Sequence, residues 1–314
     1  MSEPTALSPK IKFGFHLPGS KLSPGGKELI DWVIEMEQAG YHSVWTSDHV
    51  IVPWDVPQRY NRDDVPVDLD PHQTCPDPLV TLAFVAAQTR SLKLGTSVLV
   101  LPHRHPLPLA KAIATLDVLS AGRVIVGVGV GWLRPEVEAL GIDFNRRGRW
   151  SDEAIRVMRS AWLSERVVFH GEFFSFGPSA MYPKPVQACV PLWVGGHSPA
   201  AFKRAATLGT GWHGATNSEE KLNSSLRQLK EAAIRAGRDM VELELSIRLT
   251  FSFRDTSVDG LMMHGTVSNL VEDCRKLRKL SISQILLEAA YPTAELKRRA
   301  YRMFANDVMP YCND

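Results

Sequence analysis

Residues 92–132 read LKLGTSVLVLPHRHPLPLAKAIATLDVLSAGRVIVGVGVGW, and one complete structural repeat lies within them. Leu92–Leu99 is a short, mostly apolar run bounded by polar residues, the pattern of a buried strand. Leu109, Ile113 and Leu116 then recur at helical spacing through Leu109–Leu119. Val124–Val128 is a second apolar run rich in β-branched side chains. A strand, a crossover helix and another strand make a parallel pair, because only a long connection returns the chain to the same end of the sheet.

The unit recurs in both directions. Upstream, Ile11–Leu17 reads as a strand, Lys27–Ala39 as a helix with Leu29, Val33 and Met36 on one face, and His42–Thr46 as the next strand. Gly40 stops that helix as a left-handed cap. Downstream, helices are expected near Asp152–Leu163, at Pro199–Leu208, around Leu222, Leu226, Leu229 and Ala233, and along Val267, Leu270, Val271, Cys274 and Leu277. Strands are expected at Pro191–Val194, around Trp212, at Leu243–Phe251 and at Gln284–Glu288. Eight strands alternating with helices imply a parallel sheet covered by helices, and eight repeats closing on themselves make an α/β (β/α)8 TIM barrel. An open, doubly wound sheet is the other arrangement the alternation allows. No GxGxxG opens a helix after the first strand, which weighs against a dinucleotide-binding sheet.

The chain reads as a single domain over 1–314, with two insertions that break the rhythm. Residues 50–76 form a long Pro- and Asp-rich stretch directly after a strand, and in a barrel such loops build the active-site face. Residues 166–188 read as a hairpin plus an irregular aromatic segment, placed after a helix.

Composition narrows the partners. Thirty-six Lys and Arg stand against 34 Asp and Glu, a net charge of +2, which gives no basis for nucleic acid as the partner. No run approaches membrane-spanning length and residues 1–10 lack a signal core. Cys75, Cys189, Cys274 and Cys312 are scattered without a CxxC pair, as expected of reduced thiols in a cytoplasmic protein. A small molecule is the expected partner.

Active sites of barrels lie at the C-terminal strand ends. The candidates there are His16, Ser47-Asp48-His49, Ser97-Val98, Gly129–Trp132, Gly195–Ser198, Trp212-His213 and Glu288. His49 can exchange a proton near neutral pH, and Asp48 beside it could support the imidazole; alternatively Asp48 caps a turn. Gly195-Gly196-His197-Ser198-Pro199 can present amides and a helix N-terminus to a phosphate, and the same residues serve equally as a strand-to-helix turn capped by Ser198. Gly127, Gly129 and Gly131 alternate, which either leaves room for a flat ring against the backbone or permits tight packing at a barrel bend. His103-Arg104-His105 has the HxH form of metal-dependent barrel hydrolases, but that pair ordinarily ends the first strand and its partner carboxylates are missing here. No metal is expected.

The SDH after the second strand, the Leu94–Trp132 segment and PLWVGGHSPAAFKRAA later in the chain together resemble the luciferase-like monooxygenase superfamily, closest to its branch dependent on coenzyme F-420. The resemblance runs from about Ile11 to the last helices. It implies a flavin or deazaflavin ring in the barrel mouth, resting on a bulge at Ser97-Val98 that often contains a non-prolyl cis peptide. It implies a cofactor phosphate at Gly196, His197 and Ser198, with Gly129 and Gly195 nearby. Asp48 and His49 match positions beside the reactive ring carbon, and Trp54 matches an aromatic lining residue. In the sugar-phosphate dehydrogenases of this family the glycine-rich run ends in a catalytic glutamate, where this chain has Trp132. That departure implies an apolar or aromatic substrate, bounded by Trp54, Trp132 and His16, with His49 as acid/base in hydride transfer to or from F-420. An FMN-dependent monooxygenase fed by a separate flavin reductase is the nearest alternative, and a non-catalytic flavin-binding barrel another. Family likeness also implies a homodimer.

Overall fold

The computed structural model describes residues 9–17, 25–54, 59–62, 65–68 and 70–313. Eight strands form its centre: β1 (Lys12–His16), β2 (Ser43–Thr46), β3 (Lys93–Thr96), β4 (Val124–Gly129), β5 (Leu192–Gly195), β6 (Gly211–Ala215), β7 (Glu244–Phe253) and β8 (Gln284–Ala289). Each pairs in parallel with the next. β8 then pairs back onto β1, with Lys12–Phe15 opposite Gln284–Leu287. The closure leaves the barrel without an edge and excludes the open sheet.

Helices α1 (Gly26–Gln38), α2 (Pro78–Ala86), α3 (Pro106–Leu119), α4 (Arg134–Ala139), α5 (Arg147–Leu163), α6 (Pro199–Leu208), α7 (Glu219–Arg235), α8 (Val267–Lys279) and α9 (Ala294–Asp307) accompany the strands. Their ends follow local chemistry. Gly40, at φ +88°, closes α1, and the Tyr41 amide reaches back to the Met36 carbonyl at 3.1 Å. Ser198, Ser218 and Thr266 cap α6, α7 and α8 through their hydroxyls.

Helices α4 and α9 lie outside the helices expected from sequence, and three further elements depart from expectation. The run Leu92–Leu99 is not one strand: β3 stops at Thr96, and the chain turns through residues 97–98 before Leu99–Val100 pairs again with Val128–Gly129. α5 starts at Arg147, a turn before the expected Asp152. α2 carries apolar residues all round, with Val80 and Phe84 exposed while Leu82 and Val85 are buried, so it has no periodic contrast to betray it.

Within the first insertion, 59–62 and 65–68 pair antiparallel; residues 55–58, 63–64 and 69 lie outside the described residues. The second insertion contains the expected hairpin, 167–170 with 175–179, after a helix. Its tip is held on the outer wall, where buried Glu153 of α5 accepts amides from Glu172, Phe173 and Phe174 at 2.7–2.9 Å. Phe174 packs edge-on against His105 and Trp150, in the first turns of α3 and α5.

The barrel interior is filled, not hollow. Trp45, Ile125, Trp193 and Leu286 form a cluster inside the strands, and the His213 imidazole stacks on Trp45 at 5.4 Å and 1°. Glycine on a neighbouring strand makes this possible: a Cβ on Gly95 would stand 2.3 Å from the Trp45 ring. Among the described residues no helix is long and apolar enough to cross a membrane, and all four cysteines are free thiols.

Candidate active site

Above this aromatic floor sits the turn that ends β3, where the Ser97-Val98 peptide is cis. Every side of the turn is held. The Ser97 amide donates to the Thr46 carbonyl at 2.8 Å. The Ser97 hydroxyl meets His213 Nε2 at 2.8 Å, and His213 Nδ1 meets Ser246 Oγ at 2.9 Å, which ties the turn down into the barrel. The Ser97 carbonyl accepts from Arg248 at 3.2 Å.

Gly129 is expected from sequence to give space to a planar ring. In the structure that space is taken by Val98. A Cβ on Gly129 would stand 2.6 Å from Val98 Cγ2, one on Gly195 2.9 Å from Val98 Cγ1, and one on Gly127 2.1 Å from the Thr96 carbonyl oxygen. The alternating glycines therefore house the bulge, and the packing alternative describes them better.

A polar group lies next to the bulge. Arg248 on β7 pairs with Glu288 on β8 through Nε at 3.0 Å and Nη2 at 2.7 Å. Burial alone would raise the Glu288 carboxyl, but Arg248 overcomes it and holds it at about 2. His16, expected as a substrate contact, is buried. Its Nδ1 donates to the Leu17 carbonyl, and Nε2 lies 2.8 Å from the Ser47 hydroxyl. Burial, followed by the charge on Arg248, pushes His16 down to about 3, so the imidazole stays neutral and supports Ser47.

The loop after β5 turns at a glycine and leads into the first turn of α6. Gly196 is at φ +116°, a region that favours glycine, and a Cβ there would stand 3.1 Å from Ala201 Cβ. Ser198 Oγ accepts from the Ala201 amide at 3.2 Å, while residues 198–200 are exposed at the start of α6. His197 contributes differently from what its place suggests. Its Nε2 lies 3.0 Å from the Ala215 amide nitrogen and 3.2 Å from the Ala215 carbonyl oxygen, and its Nδ1 lies 2.8 Å from Ser225 Oγ. The imidazole anchors the loop to β6 and α7.

The rim separates the two residues expected to act together. Asp48 turns inward, with no exposed side-chain area, and forms a bidentate pair with Arg104 at 2.6 and 3.0 Å. Its carboxylate also accepts the Val100 amide at 2.9 Å. Burial works against the charge, yet His103 and Arg104 hold Asp48 below its usual range. Asp48 is thus a structural anion that fastens the segment after the bulge. The carboxylate against His49 is Glu136, from α4, at 2.9 Å. Trp132 packs edge-on to the His49 ring at 5.8 Å, and Trp54, 72% exposed, stands on the loop beyond, against His72.

Sequence reading missed Glu136 and Arg248, named His213 only as a strand-end candidate, and met His103 and Arg104 only in a metal motif it set aside. Arg248 and His213 lie inside strands, where the alternation of the barrel offers a signal for inward-facing positions. Glu136 sits on a six-residue helix too short for periodicity to be read. The HxH pair divides: His103 lies between Asp48 and Glu136, and His105 caps α3. Among the described residues no three His, Cys, Asp or Glu side chains converge to hold a metal.

The family model for luciferase-like monooxygenases matches residues 11–261. The chain belongs to this family. An F-420-dependent glucose-6-phosphate dehydrogenase of Kineococcus radiotolerans is 33% identical over 257 residues, covering 80% of this chain and 71% of that one. Among solved structures, an F-420-dependent secondary alcohol dehydrogenase with a bound F-420–acetone adduct superposes with a TM-score of 0.78 at 20% identity, over 97% of this chain and all of the other. The oxygenating constituent of 3,6-diketocamphane monooxygenase from Pseudomonas putida, in complex with FMN, reaches 0.72 at 18% identity, over 96% and 98%. At these identities the two structures bear on the fold alone.

Proposed function

We propose that this protein is an oxidoreductase that moves a hydride between coenzyme F-420 and a small organic substrate with an apolar or aromatic face, with His49 exchanging the accompanying proton. The observation that carries the reading is the rim of the barrel mouth: His49 held by a buried carboxylate, with Trp132 against its ring. The F-420-dependent relative supports the choice of cofactor.

The residues present suit such a cofactor. The bulge at Ser97-Val98 offers a fixed platform at the strand ends, and the Gly195–Ser198 loop opens the first turn of α6 to a phosphate, where amide dipoles favour an anion. When bound, the deazaflavin supplies a carbon that accepts or donates hydride. The protein's part is position and proton handling. Glu136 can only accept a hydrogen bond as a carboxylate, so Nδ1 of His49 carries the proton and the lone pair of Nε2 faces other partners. In alcohol oxidation Nε2 takes the hydroxyl proton as the carbon surrenders hydride; in carbonyl reduction the protonated ring returns it. Trp132 and Trp54 give the substrate an aromatic border in place of a carboxylate, which disfavours a sugar phosphate.

Titration of the purified protein with F-420 and with FMN, followed by cofactor fluorescence, tests the first half. Saturable F-420 binding is expected; saturable FMN binding without F-420 binding overturns it. With reduction of F-420 as the readout, His49→Ala should lower kcat on small aromatic or aliphatic alcohols by about 10²–10⁴. Full turnover by that variant removes His49 from the mechanism, and glucose 6-phosphate turning over faster than every apolar alcohol removes the apolar assignment.

A further inference from the structure

We infer that Glu136 is the positioning residue that sets the tautomer of His49 and, through the same carboxylate, places the rim loop. The inference deepens the proposed role of His49 and rests on it. The two carboxylate oxygens divide the work. Oε2 lies 2.9 Å from His49 Nδ1. Oε1 accepts the Val50 amide at 2.7 Å and the Ile51 amide at 3.3 Å. The imidazole and the first two residues of the loop that leads to Trp54 are thus fastened to one side chain.

Glu136 is suited to this in charge as well as in geometry. It is 2% exposed, and although burial would favour the neutral acid, His49, His103 and the Val50 amide together hold its carboxyl below the usual range. His103 stands behind it, Nε2 3.5 Å from Glu136 Oε2 and Nδ1 3.6 Å from Asp48 Oδ2. Asp48 is in turn closed off by Arg104. Cys75 faces the same group, and burial, with these two carboxylates, pushes its thiol up, so it brings no competing charge. A carboxylate so enclosed has acceptor capacity only, so the proton on His49 is confined to Nδ1. Nε2 has no partner among the described residues, and it is the nitrogen left to exchange a proton with substrate.

Glu136→Gln separates this role from a purely structural one. Its carbonyl oxygen still accepts the Val50 and Ile51 amides, so the loop keeps its anchor. Its NH2 group, however, now donates to Nδ1, which forces the proton of His49 onto Nε2 and removes the lone pair from the side that meets substrate. The first measurement needs no cofactor. In protein labelled with 15N-histidine, long-range 1H–15N spectra at alkaline pH, where imidazoles are neutral, should show His49 as the Nδ1–H tautomer in wild type and the Nε2–H tautomer in Glu136→Gln. The second is kinetic: kcat should fall by about 10²–10⁴ while the Kd for F-420 changes less than about twofold. An unchanged tautomer, or a changed tautomer with wild-type kcat in an enzyme that His49→Ala inactivates, overturns the positioning role. Wild-type kcat in both variants overturns the reading of His49 itself, so the two failures are distinct. Should Glu136→Gln misfold, Glu136→Asp serves in its place: it keeps the acceptor charge, and retention of the Nδ1–H tautomer with partial kcat is the expected result.

Discussion

The bulge and the rim of the same barrel mouth are built in opposite ways. At the bulge, Ser97 is bound through its amide, hydroxyl and carbonyl to Thr46, His213 and Arg248, and Val98 fills a space left by three glycines. At the rim, Val50, Ile51 and Trp54 expose 47%, 43% and 72% of their surface, and Glu136 supplies the main anchor. A platform for a planar cofactor has to keep one shape, and density of contacts enforces it. A wall that meets varied substrates gains from few constraints and large apolar surfaces. Under the proposed function, the difference assigns cofactor specificity to the bulge and substrate specificity to the rim.

The largest test of that contrast is Gly127→Ala. Its Cβ would stand 2.1 Å from the Thr96 carbonyl, a backbone atom that cannot move alone, so a loss of about 3 kcal/mol is expected by denaturant unfolding. F-420 binding should weaken in parallel, because the bulge cannot keep its shape. Arg248→Met should cost somewhat less, on the order of 2 kcal/mol, by leaving the partly buried Glu288 carboxylate without its cation. If either variant unfolds like wild type and binds F-420 normally, the bulge is less constrained than its contacts imply.

His16 yields a smaller and pH-dependent effect. An imidazole titrates near 6.5 when unfolded, whereas His16 in the fold sits at about 3. Between those values the unfolded chain binds a proton that the folded one refuses, so stability falls as pH drops from about 6.5 towards 3 and is unaffected above that window. His16→Gln should flatten the dependence between pH 6 and 5 by about 1 kcal/mol per pH unit. A slope equal to wild type would mean that His16 is charged in the fold. Trp54→Ala should move stability least, within about 0.5 kcal/mol, because the ring is mostly exposed. It should raise KM for apolar substrates while leaving the Kd for F-420 alone. A weakened F-420 affinity in that variant would blur the division between platform and wall.

Legibility in the sequence followed the same division. The eight strands were readable because they are mostly buried and bounded by turns, as Val124–Gly129 and Gln284–Ala289 show. α2 was not, because its apolar residues circle the whole helix. The site residues on the strand ends were locatable from the barrel rule, but their partners were not. Asp48 and His49 are adjacent in the chain, and adjacency suggested a pair. In the fold their side chains diverge, Asp48 to Arg104 fifty-six residues on and His49 to Glu136 eighty-seven residues on. Long-range pairing of that kind leaves no spacing to read. The glycines of VGVGVG were visible, yet what they accommodate depends on Val98, in the turn after β3.

The accommodation of Val98 carries a consequence for how this protein can change. Three glycines on β4 and β5 and one valine after β3 fit as a single unit, so no one of them can be enlarged while the others stand. Variation by single substitutions is thereby steered away from the platform and towards Val50, Ile51 and Trp54, whose side chains are largely exposed, and Trp132 at the rim. A library meant to redirect the substrate while preserving the cofactor would begin at Val50, Ile51, Trp54 and Trp132 and leave Val98 and its glycines untouched.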